Sequence, residues 1–257
     1  LALAAILPVG AILPWKRARV GRVMKPLWGA LALAFVLGAL AWVVQSGRSL
    51  VAPVGALLGA WLVFGAAADL WNRTGGKIAQ KAGRAMRLPR ADWGRVVAHA
   101  GLGVTIFGIA AMTAWEVEDI RVAEDGESFT VGAYEVTLAD VRKIEGPNYI
   151  STIAEMRLTR GGREVAVLFP EKRVYPVAEM PTTEAAIDNG VFRDLYLVIG
   201  DRQTNGGWAV QTYIKPFANW IWAGAIIMAI GGILSLTDRR YRVAAGARKA
   251  PVGVPAE

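Results

Sequence analysis

Residues 93–115, WGRVVAHAGLGVTIFGIAAMTAW, decide how this chain is read. They form an apolar run of about 20 residues between two tryptophans, long enough for a helix to cross the hydrocarbon core of a bilayer. The run carries His99, the only histidine in 257 residues. An ionisable group inside such a segment costs free energy unless something pairs with it, which makes His99 a functional candidate. Residues three and four apart share a helix face, so Arg95, His99, Leu102, Gly103 and Ile106 fall on one stripe. Gly103 has no side chain one turn from the imidazole, so a flat macrocycle could lie against the backbone there. Arg95, one turn the other way, could meet a carboxylate such as a haem propionate. The same residues admit a plainer account, in which a lone histidine near a helix end is wetted at the interface and only packs.

The composition agrees with a membrane protein. Hydrophobic residues make up 54% of the chain, there are ten tryptophans, and the mean hydropathy is +0.36. No cysteine is present, so no disulfide or Cys-x-x-Cys redox pair can form. Nucleic acid is a poor partner for the net charge of +8, because the basic residues gather at the ends of apolar runs, where anionic headgroups attract them. Five lie in Lys16–Lys25, one is Arg48, and seven lie in Arg73–Arg95. From Glu116 to Pro216 there are eleven against seventeen acids, a net charge of −6. By the positive-inside rule, residues 14–25, 72–95 and 238–257 are expected in the cytoplasm, and 46–50 and 116–216 outside it.

Working outward from the histidine helix, two further spans are expected over Pro26–Val44 and Val51–Trp71, and a last one over Phe217–Leu236. Leu1–Leu13 is apolar but too short to span, so it reads as the tail of a helix that begins upstream, and the chain as a fragment. Gly55 and Gly59 form a small-residue face for helix contact. Asp69, near a span end, is expected to snorkel to the interface. In the loop before the histidine helix, basic residues at 73, 77, 81, 84 and 87 form one face of a surface helix. Asp92 is expected as the N-cap of the histidine helix.

After Trp115 the long apolar runs give way to period-two alternation and turn residues. Strands are expected over 128–131, 134–144, 149–160, 163–169, 192–200 and 207–214, with TRGGRE as a two-glycine hairpin turn. About 100 residues of this pattern make one small all-β domain, a barrel or a sandwich. Thr182–Asn189 reads as a short helix or loop. The fold class is therefore an α-helical integral membrane protein of about five segments, the first truncated, with an inserted all-β domain. Its parts are transmembrane helices over 1–115, a β-rich domain over 116–216, and a final helix and tail over 217–257.

The histidine helix, with GPNY (146–149), PEKRVY (170–175), TEAAI (183–187), DLYLVIG (194–200) and KPFANWIW…GG…DRRYR (215–242), resembles the carboxy-terminal part of the CcmF family of cytochrome c-type biogenesis proteins. The blocks occur in family order over nearly the whole chain. A NrfE-type haem lyase would share much of the pattern. The resemblance implies a place in the System I machinery of the bacterial inner membrane, with the β-domain in the periplasm, attaching haem to apocytochrome c. It also implies that His99 is one of two transmembrane ligands to a b-type haem. The second axial ligand lies outside this chain, which holds no other histidine. The family's Trp-Trp-Asp signature and its two periplasmic haem-binding histidines likewise have no counterpart here. Met112, thirteen residues further along the helix, is about 20 Å away and cannot face His99 across an iron.

The implied partners are the haem chaperone CcmE, CcmH, apocytochrome c, the upstream part of CcmF and membrane lipid. The implied reaction adds two thiols to haem vinyl groups, and no residue of this chain supplies a nucleophile, acid or base for it. PEKRVY could contact a partner or a propionate, or be a strand end with a surface ion pair. GPNY reads as turn chemistry. A rival class is a membrane scaffold or haem-transport subunit without a redox role, in which His99 merely packs.

Overall fold

The computed structural model describes residues 1–13, 21, 24–47, 49–177, 180–204 and 206–238. The expected cytoplasmic tail, including DRRYR beyond Asp238, and most of the first basic loop lie outside these. The chain divides into two compact units. One comprises Leu1–Val44, Leu50–Ala110 and Trp220–Glu257, and the other Gln45–Ser49 and Ala111–Asn219.

The first unit is helical. Its elements are α1 (Ala2–Ile12), α2 (Trp28–Val44, entered through a 3-10 turn at Lys25–Leu27), α3 (Val51–Thr74), α4 (Ile78–Ala85), α5 (Arg90–Trp115) and α6 (Ala218–Leu236). Among the described residues, four helices are long and apolar enough to cross a membrane: α2 with its 3-10 turn, α3, α5 and α6. The short α1 is also apolar. At the centre of the first helices is α3. Leu62 and Trp61 are buried, and Trp61 Nε1 donates to the Ala5 carbonyl of α1 at 2.9 Å. Pro53, in the first turn of α3, costs no hydrogen bond there.

Glycines let α5 approach two neighbours at backbone distance. A Cβ placed on Gly59 of α3 would lie 2.8 Å from the Gly103 carbonyl oxygen and 2.9 Å from the Phe107 nitrogen. One on Gly101 would lie 2.7 Å from the Gly224 carbonyl oxygen of α6, and one on Gly231 would lie 2.5 Å from that of Gly94. Gly94, Gly101 and Gly108 are seven residues apart, as are Gly224 and Gly231, so each set keeps one side of its helix. Gly94 and Gly103 are nine residues apart, which at about 100° per residue puts them on opposite sides of α5. The helix is thus held between α3 and α6, in the manner of small-residue packing in membranes.

One sequence expectation is corrected here and another is added to. Asp92 is not the N-cap: α5 starts two residues earlier, at Arg90. The Ala91 N–H donates instead to Asp238 Oδ2 at 3.0 Å, and the Asp92 carboxylate is taken by Arg73. His99 therefore lies nine residues into the helix, about 13 Å along its axis. The loop helix α4 forms with Ile78 and Met86 exposed, but it is also tied back. Lys81 donates to the Trp71 carbonyl at 2.8 Å over the Trp71 ring, and Trp93 Nε1 donates to the Ala85 carbonyl at 2.9 Å.

The second unit is a β-sandwich. Strands β1 (Val117–Ala123), β8 (Ala186–Asn189), β9 (Arg193–Arg202) and β10 (Trp208–Pro216) form one sheet in the order β1-β10-β9-β8. The other sheet holds β2 (Ser128–Val131), β3 (Tyr134–Glu145), β4 (Ile150–Arg160), β6 (Glu171–Tyr175) and β7 (Met180–Glu184), with β5 (Arg163–Leu168) beside β4. Period-two residues from both sheets meet in one core, with Val136, Leu138, Met156, Leu158, Leu195, Leu197, Ile199 and Val210 all at zero exposure. Gly161 and Gly162 turn the β4–β5 hairpin at φ +58° and +75°, a left-handed pair that glycine adopts without steric cost. The reading of Thr182–Asn189 as helix or loop is corrected: it falls in strands β7 and β8, edge strands whose mostly exposed side chains leave little alternation to detect.

Where β10 meets α6, Phe217 adopts φ +56°, a costly conformation for a non-glycine residue. Its N–H donates to the Phe192 carbonyl at 2.9 Å and its ring packs edge-on against Phe192. Asn219 Nδ2 donates to the Gly190 carbonyl and to Asp194, each at 2.9 Å. Phe217 and Asn219 are thereby tied to the start of β9 and the residues just before it.

Residues 116–216 expressed alone are expected to be soluble, monomeric and rich in β-structure by circular dichroism, because the core is internal to the unit. They contain no histidine or cysteine and should bind no haem; saturable stoichiometric binding would contradict this. Stability should fall on acidification. Hydrogen bonds from Arg121 and Arg173 hold the Asp119 and Glu171 carboxyls below their usual range. Groups depressed in this way stabilise the fold above their unfolded pKa of about 4 and lose that contribution as pH falls through the folded value. A denaturant midpoint that did not decrease between pH 6 and pH 3 would count against it.

Candidate functional site

The histidine stripe is organised by a carboxylate on the neighbouring helix. Asp69 of α3 is only 3% exposed. Its Oδ1 accepts from Arg73 Nε and its Oδ2 from Arg95 Nη2, each at 2.9 Å. Asp92 accepts from Arg73 Nη1 at 2.9 Å and lies 3.7 Å from Arg95 Nη2. The expectation that Asp69 snorkels is thus corrected. It is buried between two guanidinium groups, in a ring of two acids and two bases that joins the end of α3 to the start of α5. A carboxylate buried at this level is sustained only by such partners, and removing them would cost about 3–5 kcal/mol.

The sequence offered Arg95 for a carboxylate such as a haem propionate; the carboxylate it meets here is Asp69 of the same chain. Its Nε is buried and has no hydrogen-bond partner among the described residues. The expectation for Gly103 is corrected outright. A Cβ there would meet the Gly59 carbonyl oxygen at 2.7 Å, Val63 Cγ2 at 2.8 Å and Leu62 Cβ at 3.0 Å, so α3 already fills the space at Gly103 itself. The missing side chain serves helix contact.

His99 falls between Arg95 and Gly103 on the α3 side of α5, turned about 40° from Gly103. It is half-buried, and Arg95 and Asp69 are the charged groups that act on its ring. Among the described residues no group of three or more histidines, cysteines or carboxylates could hold a metal ion. A neutral imidazole needs only an iron already held by a macrocycle, and a half-exposed imidazole on an apolar helix fits that role. The residues present therefore fit one axial position of a haem, with Gly103 removed from the set.

In the β unit, the GPNY and PEKRVY motifs come together. The Tyr149 ring folds onto Gly146, where a Cβ would lie 2.4 Å from it, and Arg173 stacks over the same ring at 4.7 Å. Arg173 Nε donates to Glu171 at 2.9 Å, and Glu171 also accepts from Ser151. Tyr175 packs edge-on to Tyr149. These residues form a strand-end ion pair and a turn stacked on each other, and each is engaged by its own chain.

Sequence reasoning missed the Asp69 ring, the Asp238 cap and the α5–α6 glycine seam. The seven-residue spacing of Gly94, Gly101 and Gly108 was a usable signal for the seam. The cap joins residues 147 positions apart and left none.

Fold and site together define a chain with four described helices long and apolar enough to cross a membrane, a β-sandwich between the last two of them in sequence, and its one histidine on the third. Residues 114–216 match the family model described as the CcmF C-terminal beta-sandwich. The chain is 56% identical over 250 residues to cytochrome c-type biogenesis protein ccl1 of Rhodobacter capsulatus, covering 97% of this chain and 38% of that protein. It is 39% identical over 241 residues to cytochrome c-type biogenesis protein CcmF of Escherichia coli, covering 93% and 36%. Its fold is similar to a solved structure titled Cytochrome c Heme Lyase CcmF, with a TM-score of 0.70 at 21% identity over 91% of this chain and 38% of that one. The chain belongs to the CcmF family and carries its carboxy-terminal β-sandwich. It spans a little over a third of the length of the relatives it matches.

Proposed function

We propose that this chain is the carboxy-terminal part of a bacterial inner-membrane haem lyase for cytochrome c maturation, in which His99 supplies one axial ligand to a b-type haem. The observation that carries the reading is the chain's single histidine, half-buried on an apolar helix that is held from both sides by glycine contacts and at its start by the Asp69 ring. When bound, a b-type haem supplies one-electron chemistry, which supports reduction of the haem to be attached. The chain's own residues do something simpler. The neutral imidazole offers a nitrogen lone pair, and the glycine seams fix its depth and direction.

A second histidine ligand to such a haem would have to come from outside these residues, which hold no other histidine. The haem chaperone CcmE, CcmH and apocytochrome c are the partners this role requires. In this reading the chain acts as part of a complex. An absorption spectrum of the purified full-length protein tests the reading. Dithionite should bring up the sharp bands of a ferrous b-type haem. A preparation that matures cytochrome c but has no such bands would overturn the proposal in favour of a scaffold or transport role.

The orientation proposed with this role puts the β-sandwich in the periplasm and α4 in the cytoplasm, on the distribution of lysine and arginine. Reporter fusions should be cytoplasmically active at Ala85 and externally active at Gly126. External activity at Ala85 would reverse the assignment.

A further inference from the structure

The ring of charges at the start of α5 holds two acids and two bases, Asp69, Asp92, Arg73 and Arg95, and so is formally neutral. Asp69 is its most buried member and joins the two arginines. Arg95 lies one helical turn from His99, at the usual separation of about 5–6 Å between Cβ atoms. Charges this close to a half-buried ring, in surroundings that water only partly reaches, are weakly screened. We propose that Asp69 tunes the reduction potential of the iron carried on His99, by balancing the positive charge of Arg95 one turn away. The inference rests on the haem reading above and makes Asp69 and Arg95 positioning residues rather than ligands.

The sign follows from the charge of the iron. Reduction adds one electron to the iron and requires no proton, so nearby positive charge favours the ferrous state and nearby negative charge the ferric. Asp69→Asn leaves two arginines facing one carboxylate and should raise the midpoint potential. Arg95→Gln leaves two carboxylates facing one arginine and should lower it. The double variant restores neutrality and should return the midpoint towards the unmodified value. Arg95→Lys keeps the charge while losing the fork of donors, and should shift the midpoint less than Arg95→Gln. A ring that only pinned the helices would give no such pattern, because a loosened site disturbs the haem alike whichever partner is removed.

The test is a potentiometric titration of the b-type band in the full-length protein at fixed pH, with His99→Ala as a control. Opposite shifts in the two single variants, reversed in the double, support the proposal. Shifts of one sign, no shift in either, or loss of haem from every ring variant would overturn it and leave a structural clamp. If Asp69→Asn alone fails to accumulate, Arg95→Gln against Arg95→Lys decides, since equal shifts in those two also overturn it. A b-type band that persists in His99→Ala defeats the haem reading itself, and that failure is separate from the behaviour of the ring variants.

Discussion

His99→Ala in the full-length protein is expected to lose the b-type spectrum almost completely, with haem content per protein falling on the order of tenfold or more. Even outer-shell partners of metal ligands are worth about ten- to a hundredfold in affinity, and an axial ligand should matter at least as much. No substitute is at hand, since the chain has no other histidine and no cysteine, and Met112 is too far along the helix. The helix itself should still insert and pack. Removing an imidazole from an apolar span eases insertion, and the glycine contacts of α5 involve other residues. Added imidazole should restore part of the spectrum by occupying the space left behind. His99→Cys should retain some haem at an altered potential, because the axial ligand is a main determinant of that potential. Normal haem content and normal cytochrome c maturation in His99→Ala would sink the ligand assignment.

The adjacent glycines at 231 and 232 should behave as opposites. A methyl on Gly231 would lie 2.5 Å from both the Ala98 nitrogen and the Gly94 carbonyl oxygen, so α5 and α6 could accommodate it only by separating. Gly232 has nothing within 4 Å of the same position. Gly231→Ala should therefore cost about 2–3 kcal/mol, near the upper end for overpacking. Gly232→Ala should be neutral or stabilising, by up to about 1 kcal/mol from helix propensity. Thermal unfolding of the two variants in detergent, with protein yield as a second measure, makes the comparison. Equal melting temperatures would mean that the seam is not closed at the distances described. Because α5 carries His99, Gly231→Ala should also lose haem with the ligand intact, and Gly232→Ala should not. Gly103→Leu belongs with the first of these, since its side chain would collide with α3 rather than with a bound macrocycle.

Much of the architecture was legible from local chemistry. The length of apolar runs sets the four described helices long and apolar enough to span, because a bilayer core requires about 20 residues. Alternation of apolar and polar residues marks six of the ten strands, and Gly161-Gly162 marks their hairpin, because a left-handed pair calls for glycine. His99 stood out because an imidazole in such a run is rare and costly. Strands β7 and β8 escaped notice because edge strands bury little on either face. The identities of the neighbours required the tertiary structure. Asp69 and Arg95 are 26 residues apart and Ala91 and Asp238 are 147 apart, distances over which no local pattern operates. Gly103 shows the limit most plainly. The sequence by itself determined that one side of the histidine helix is bare at that point, and only the packing of α3 decided that another helix, rather than a ligand, lies against it.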